Sequence, residues 1–165
     1  MNRRFAWVLG SGLLGGCVTE NPRENRAAAV QPPRGAPVTE MVVAPGATED
    51  TDGNGYTDSV RVVVYMFHDS ARYPPPIWAE GTLTFALRGR DGREIGRWEF
   101  PPEAMARARV TLAPGPAQAF SLHLLARGAD VSAERSAVLS CTFKPVSGAP
   151  VEARSQPTLI LGRAR

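Results

Sequence analysis

Cysteine is almost missing from this chain: Cys17 and Cys141 are the only two in 165 residues. That excludes a disulfide-stapled scaffold. Histidine is as scarce, and His68 and His123 share no metal-ligand spacing, so a zinc site has no support. No apolar run reaches the roughly 18 residues that a membrane-spanning helix requires. Lysine occurs once, as Lys144, and the arginines are spread along alternating strand positions rather than gathered into a stripe. Such a spread belongs to a solvated sheet face, and nucleic acid is not expected as a partner. No G-x-S-x-G elbow is present, and Glu80, Glu94, Glu99 and Glu103 are scattered with nothing selecting two of them. The expectation is a protein that is not an enzyme. What the chain does have is 43% apolar residues, which is enough for one packed core and too much for a mainly disordered chain.

The first residues, MNRRFAWVLGSGLLGGC, combine a positive start at Arg3 and Arg4 with a short apolar stretch, Phe5 to Leu14. This is the pattern of a secretory signal, too short to remain as a spanning helix. Leu14-Gly15-Gly16-Cys17 resembles the lipobox of bacterial lipoproteins, with Gly15 where Ala or Ser is commoner. The resemblance implies cleavage after Gly16 and a diacylglyceryl thioether on Cys17, whose thiol is a ready nucleophile. Several acyl chains bury enough methylene groups to hold a protein on a bilayer permanently. Residues 1–16 are therefore expected to be a signal peptide, with the mature chain in the cell envelope, facing the periplasm or the cell surface. Val18 is not Asp, so the inner-membrane retention signal is absent and the outer membrane is favoured. Cleavage would remove Arg3 and Arg4 and bring the formal charge of +3 to about +1, so most of the basic excess is export signal.

Residues 17–49 follow as a Pro-rich tether, punctuated by Pro22, Pro32, Pro33, Pro37 and Pro45. Composition of this kind favours an extended, solvated linker with a reach of roughly 30 Å as a coil. The alternative is that Val38 to Val43 adds an edge strand to the folded part. Residues 50–58 read Asp-Thr-Asp-Gly-Asn-Gly-Tyr-Thr-Asp. Oxygen side chains stand at positions 1, 3, 5 and 9 of this run, with a glycine at 6, and alternate oxygens in a tight turn are what Ca²⁺ takes. The expected ligands are Asp50, Asp52, Asn54, the carbonyl of Tyr56, and Asp58, with Gly55 supplying a left-handed backbone. The run resembles calcium loops of the thrombospondin type 3 and dockerin kind, D-x-D-x-N-G-x-x-D. It departs from an EF-hand in having Arg61 at position 12 and a strand, not a helix, after it. A metal-free turn rich in Asx residues is the other reading. With calcium bound, the loop is expected to stiffen the junction with the tether.

From residue 59 to 165 the apolar period is two. Val60 to Phe67, Leu83 to Leu87, Glu94 to Phe100, Ala108 to Leu112, Phe120 to Leu124, Ala137 to Phe143 and Thr158 to Leu161 all read as strands. Asp91-Gly92 marks a hairpin, Gly96 a β-bulge, and Glu103 to Arg107 a short helical turn behind Pro101-Pro102. About seven antiparallel strands imply an all-β sandwich of the immunoglobulin or fibronectin kind. Cys141 falls on the inward phase of its strand, as a buried small hydrophobe. His68-Asp69-Ser70 has the residue types of a nucleophilic triad, but consecutive residues do not orient one another in that relay. It reads as a polar turn.

Tyr73-Pro74-Pro75-Pro76-Ile77-Trp78 is a polyproline-like segment flanked by aromatics. Tyr73 and Trp78 are candidates for a glycan or peptide platform; the alternative is a crossover between sheets with Trp78 capping the core. The mature chain also resembles small bacterial lipoproteins in which such an Asp loop leads into a V-x-V-Y-x-F strand, here Val62-Val63-Val64-Tyr65-Met66-Phe67. That resemblance implies the address and the sandwich and carries no activity. The expected function is a lipid-anchored binding or structural display module with a protein or glycan partner. The alternative is an accessory subunit of an envelope assembly or secretion complex, docking by a sheet edge.

Overall fold

The computed structural model describes residues 30–124 and 136–162. The expected signal peptide, Cys17 and the first part of the tether lie outside the described residues. Among the described residues are nine strands and one short helix: β1 Glu40–Glu49, β2 Ser59–Phe67, β3 Gly81–Arg88, β4 Glu94–Phe100, α1 Pro102–Arg107, β5 Arg109–Leu112, β6 Gly115–His123, β7 Ser136–Pro145, β8 Val151–Glu152 and β9 Thr158–Ile160. They form two antiparallel sheets, one in the order β1-β2-β6-β5, the other β4-β3-β7-β8 with β9 also on β7. Taking β1 as strand A and proceeding along the chain, these are A-B-E-D and C′-C-F-G, the immunoglobulin arrangement.

The alternation in the sequence becomes the core. Val60, Val62, Val64 and Met66 of β2 face Leu83, Phe85 and Leu87 of β3 and Leu139, Cys141 and Phe143 of β7 across the sandwich, all buried. Phe85, Phe100 and Phe120 make an aromatic cluster: Phe85 meets the other two edge-on at centroid distances of 5.9 and 5.7 Å, and Phe100 and Phe120 stand 4.4 Å apart. The bulge expected at Gly96 is there, since Leu87 and Arg88 pair with Gly96 and Glu94 and leave Ile95 over. Gly96 has a further duty. A Cβ at this position would come within 2.6 Å of the Trp98 ring, so only glycine lets that indole lie flat on the strand. Helix α1 falls where Glu103 to Arg107 was expected, with Met105 buried beneath it.

Three expectations need correction. First, the tether does not run to residue 49. Residues 40–49 are β1, paired with β2 from Glu40↔Phe67 to Glu49↔Ser59, and Val38, Met41 and Val43 are buried. The edge-strand alternative holds, and the sandwich starts near residue 38 rather than at 59. Pro45 is tolerated because β1 is an edge strand that shifts register between Pro45 and Thr48. The outer edge of β1 is not left bare: Arg154 donates its N–H to the Met41 carbonyl at 2.9 Å, and its side chain meets Glu40 at 2.9 Å. Second, Ala108, Val110 and Leu112 do not form an inward face. Ala108 caps α1, Val110 is half-buried and Leu112 is 41% exposed, because β5 is a four-residue edge strand. Third, the Asp loop is not at the tether junction. It joins β1 to β2 at the end opposite the one where the chain enters.

Gln118 is the odd member of the core. It stands in phase with Phe120 and Leu122, is fully buried, and neither its amide oxygen nor its amide nitrogen has a hydrogen-bond partner among the described residues. An unpaired buried amide costs on the order of 1–3 kcal/mol. Gln118→Met, nearly equal in volume, is therefore expected to raise unfolding stability by about 1–2 kcal/mol in urea titrations. A loss of stability would show that the amide is satisfied.

Candidate functional site

Two sets of chemistry-bearing residues sit at opposite ends of the sandwich. The far end carries the Asp loop between β1 and β2. Asp50, Asp52 and Asp58 each place a carboxylate oxygen within 4.8 Å of the others. The backbone that brings them together is tied by Asx turns. Asp50 accepts from the N–H groups of Gly53 and Gly55, both at 2.8 Å, and Asp52 accepts from the N–H of Asn54 at 3.0 Å. Gly53 and Gly55 lie at φ +73° and +85°, the left-handed region where a side chain would be strained, as expected for Gly55.

Asp58 is the inner wall of the cluster, with only 3% of its surface exposed. Its position is fixed by the sheet: its N–H donates to the Glu49 carbonyl at 2.8 Å, and its carbonyl accepts from Leu124 at 2.7 Å. One carboxylate oxygen, Oδ2, accepts from the hydroxyl and the N–H of Thr51 and from the N–H of Asp52. The Thr51 hydroxyl bond above all, then its N–H, holds the Asp58 carboxyl below its ordinary value, against the opposing effect of desolvation. The other oxygen, Oδ1, is buried without a hydrogen-bond partner among the described residues. A buried, ionised and unpaired carboxylate oxygen beside two further carboxylates fits a hard cation that takes oxygen ligands.

Three of the five expected ligands, the carboxylates, are brought together. Asn54 spends its side chain on neighbours: its amide nitrogen donates to Asp52 at 2.8 Å, and its oxygen accepts from the Tyr56 N–H at 2.7 Å. Tyr56 is half-buried. Arg61, at the position where an EF-hand has its glutamate, turns instead onto Glu49 across the hairpin. Thr51 is the residue that the sequence reading missed. It sits between two expected ligands and orients Asp58 rather than joining the set.

The loop is also wired to its surroundings at this end. Thr57 donates its N–H to the Leu161 carbonyl at 3.4 Å and its hydroxyl to the Ile160 carbonyl at 3.4 Å. The C-terminal strand β9 is thus in direct hydrogen-bond contact with the candidate cation loop.

The other end carries the Pro-rich segment, which crosses from β2 in one sheet to β3 in the other. Tyr73 and Trp78 are engaged separately. Tyr73 stacks on His68 at 5.4 Å, with the Arg72 guanidinium 5.3 Å from its ring. Trp78 donates its indole N–H to the Ala117 carbonyl at 3.3 Å, lies under Arg109 at 5.8 Å, and is 45% exposed. The crossover reading holds, but Trp78 does not cap the core. Beside Trp78 and Arg109 is an open cleft of about 440 Å³ whose walls include Val38, Phe143 and Val146.

The His68-Asp69-Ser70 turn brings no relay together. His68 Nδ1 contacts the Pro37 carbonyl at 2.9 Å, Asp69 takes φ +48°, and Ser70 donates to Glu40 at 2.6 Å. Cys141 lies in the core against Met41, with its sulfur 4.0 Å from the thioether. Desolvation pushes its thiol far above the ordinary range, so it is no nucleophile in the folded state. No helix among the described residues is long and apolar enough to cross a membrane. In comparisons with protein-family models, curated proteins and solved structures, the chain matches none.

Proposed function

We propose that the chain is a lipid-anchored display module of the bacterial cell envelope, held through Cys17 and presenting the far end of its sandwich, where the Asp loop takes Ca²⁺. The observation that carries this reading is the separation of the two ends. The expected lipid site lies upstream of the end where β1 begins, and the Asp loop follows the end where β1 stops. Ten residues of strand separate the two by about 30 Å. Residues 31–36 already lie against Pro76, Ile77 and Trp78 at the end where β1 begins, so the chain reaches the sandwich there. A lipid at Cys17 would therefore tie the entry end, and not the carboxylate end, to the bilayer. Asp50, Asp52 and Asp58 would hold the ion, with Thr51 keeping Asp58 in place. The ion's contribution would be charge neutralisation and rigidity, not catalysis.

The test is membrane fractionation of the full chain expressed in a bacterium, with mass spectrometry of the Cys17 peptide. The expected result is a diacylated, membrane-bound protein, and a soluble one on Cys17→Ser. An unmodified Cys17 in a protein recovered wholly in the soluble fraction would sink the anchor. A glycan array read in calcium and in chelator then asks what the far end presents.

A further inference from the structure

Within residues 30–124 and 136–162, the exposed large apolar side chains are unevenly placed. Among the described residues they are Val30, Trp78, Leu112, Val146 and Ile160. Only Ile160 lies at the Asp-loop end. Trp78 on the crossover, Leu112 at the end of β5 and Val146 just after β7 stand at the end where the chain enters, and Val30 precedes the segment that packs there. The placement follows from register. Glu40 pairs with Phe67, which puts the 68–80 crossover at the end where β1 begins. Gly81 pairs with Pro145, which brings Val146 to the same end. Gly115, in the hairpin that carries Leu112, lies against Pro76 of the crossover. Trp78 and Val146 share the 440 Å³ cleft with Arg109.

The chemistry of this end is that of a membrane interface. Trp78 keeps its N–H turned inward on Ala117 and leaves its apolar ring partly outside, the amphipathic use of tryptophan at headgroup level. Val146 is 76% exposed. Arg72, Arg109 and Lys144, all exposed, lie at this end on the crossover, β5 and β7, together with the acidic Glu40, Asp69 and Glu80. Arg109 reaches Glu80 only at 3.8 Å and rests over the indole.

We propose that this end of the sandwich docks onto an anionic phospholipid bilayer, with Trp78, Leu112 and Val146 entering the headgroup region and Arg72, Arg109 and Lys144 meeting lipid phosphates. The inference rests on the anchored reading for its choice of occupant. A lipid on Cys17, about 20 residues before Val38, brings this end and not the other to the bilayer. Docking would convert a loosely tethered sandwich into one of fixed orientation, with the Asp loop outermost.

The test uses the full chain carrying Trp7→Phe, in vesicles of phosphatidylcholine and phosphatidylglycerol with bromine at shallow acyl positions. Two tryptophans then remain. Trp98 is 8% exposed and packed inside the sandwich, so it serves as the unquenched reference. The expected result is a loss of roughly one third of total emission relative to plain lipid, abolished by Trp78→Phe and at least halved by Val146→Ser. Val146→Ser changes an exposed loop side chain and leaves the fold intact. Equal emission in brominated and plain vesicles overturns the proposal, even where Cys17 proves lipidated. A concentration-dependent dimer that Val146→Ser disperses, without quenching, overturns it in favour of a second copy. Salt-sensitive, Trp78-dependent vesicle binding by Cys17→Ser supports docking even if the anchor fails.

Discussion

Phe85→Ala is expected to cost about 3–5 kcal/mol of unfolding stability. Phe85 is fully buried at the middle of β3, opposite Trp98 on one neighbouring strand and Cys141 on the other. Truncation removes the transfer free energy of the ring and leaves a cavity that two rigid sheets cannot close. It also strips the edge-on contacts to Phe100 and Phe120, each pair of that kind being worth about 0.5–1.5 kcal/mol beyond its area. A domain of this size has only about 5–15 kcal/mol in total, so the variant should melt some 10–20 °C lower. Phe85→Leu, which keeps most of the volume, should lose about 1–2 kcal/mol. Thr84→Ala, on the outer phase of the same strand, should stay within about 0.5 kcal/mol. Urea titrations of the three would order them. A Phe85→Ala loss below about 1 kcal/mol would mean that the two sheets do not share this core.

Most of the sheet was legible because period-two alternation is a local property, carried through β2 and β7 and interrupted only at Ala86 in β3 and at Ala117-Gln118 in β6. The bulge at Ile95-Gly96 was legible for the same reason: a change of phase from Ile95 to Trp98 has few other causes. β1 was obscured because Pro45 and Gly46 interrupt it, and only pairing with β2 explains why an edge strand accepts them. Leu112 was misassigned because alternation shows that one face differs from the other, not that a second sheet lies over it. The Asp loop was legible in its three carboxylates, whose spacing is written in the chain. Its place at the far end was not, since that depends on which strands flank it. Asn54 is read less directly, because its amide also serves the loop's own turns. Gln118 was readable in principle, standing in phase with Phe120 and Leu122. The placement of Trp78, Leu112 and Val146 at one end and of the Asp loop at the other is a consequence of register and has no local signal.

Calcium at about 10 mM is expected to raise the melting temperature by roughly 4–10 °C. Extracellular sites of this type bind at about 10⁻⁴–10⁻³ M, which gives a tenfold to hundredfold excess and about 1.4–2.7 kcal/mol by mass action. Asp58 should dominate the effect. It is the buried member, and its Oδ1 has no protein partner to compensate for desolvation. Asp58→Asn is expected to abolish the shift, and Asp50→Ala or Asp52→Ala to reduce it severalfold. Thr51→Val should weaken it without removing a ligand, because Asp58 loses its orienting hydroxyl. The pH dependence has a definite sign. The Asp58 carboxyl is lowered in the fold, so the unfolded chain binds the proton more readily. Its contribution is fully present above the ordinary carboxylate value near 3.8 and is lost as pH falls through the lowered folded value. Calcium competes with that proton, so the calcium-induced rise should persist at pH 5 and vanish in strong acid. The hydrogen bonds from Thr57 to residues 160 and 161 add a second readout: amide exchange in β9 should slow when the ion binds. Unchanged melting and exchange at 10 mM calcium, with no heat on titration, would leave a metal-free Asx turn as the correct description of residues 50–58.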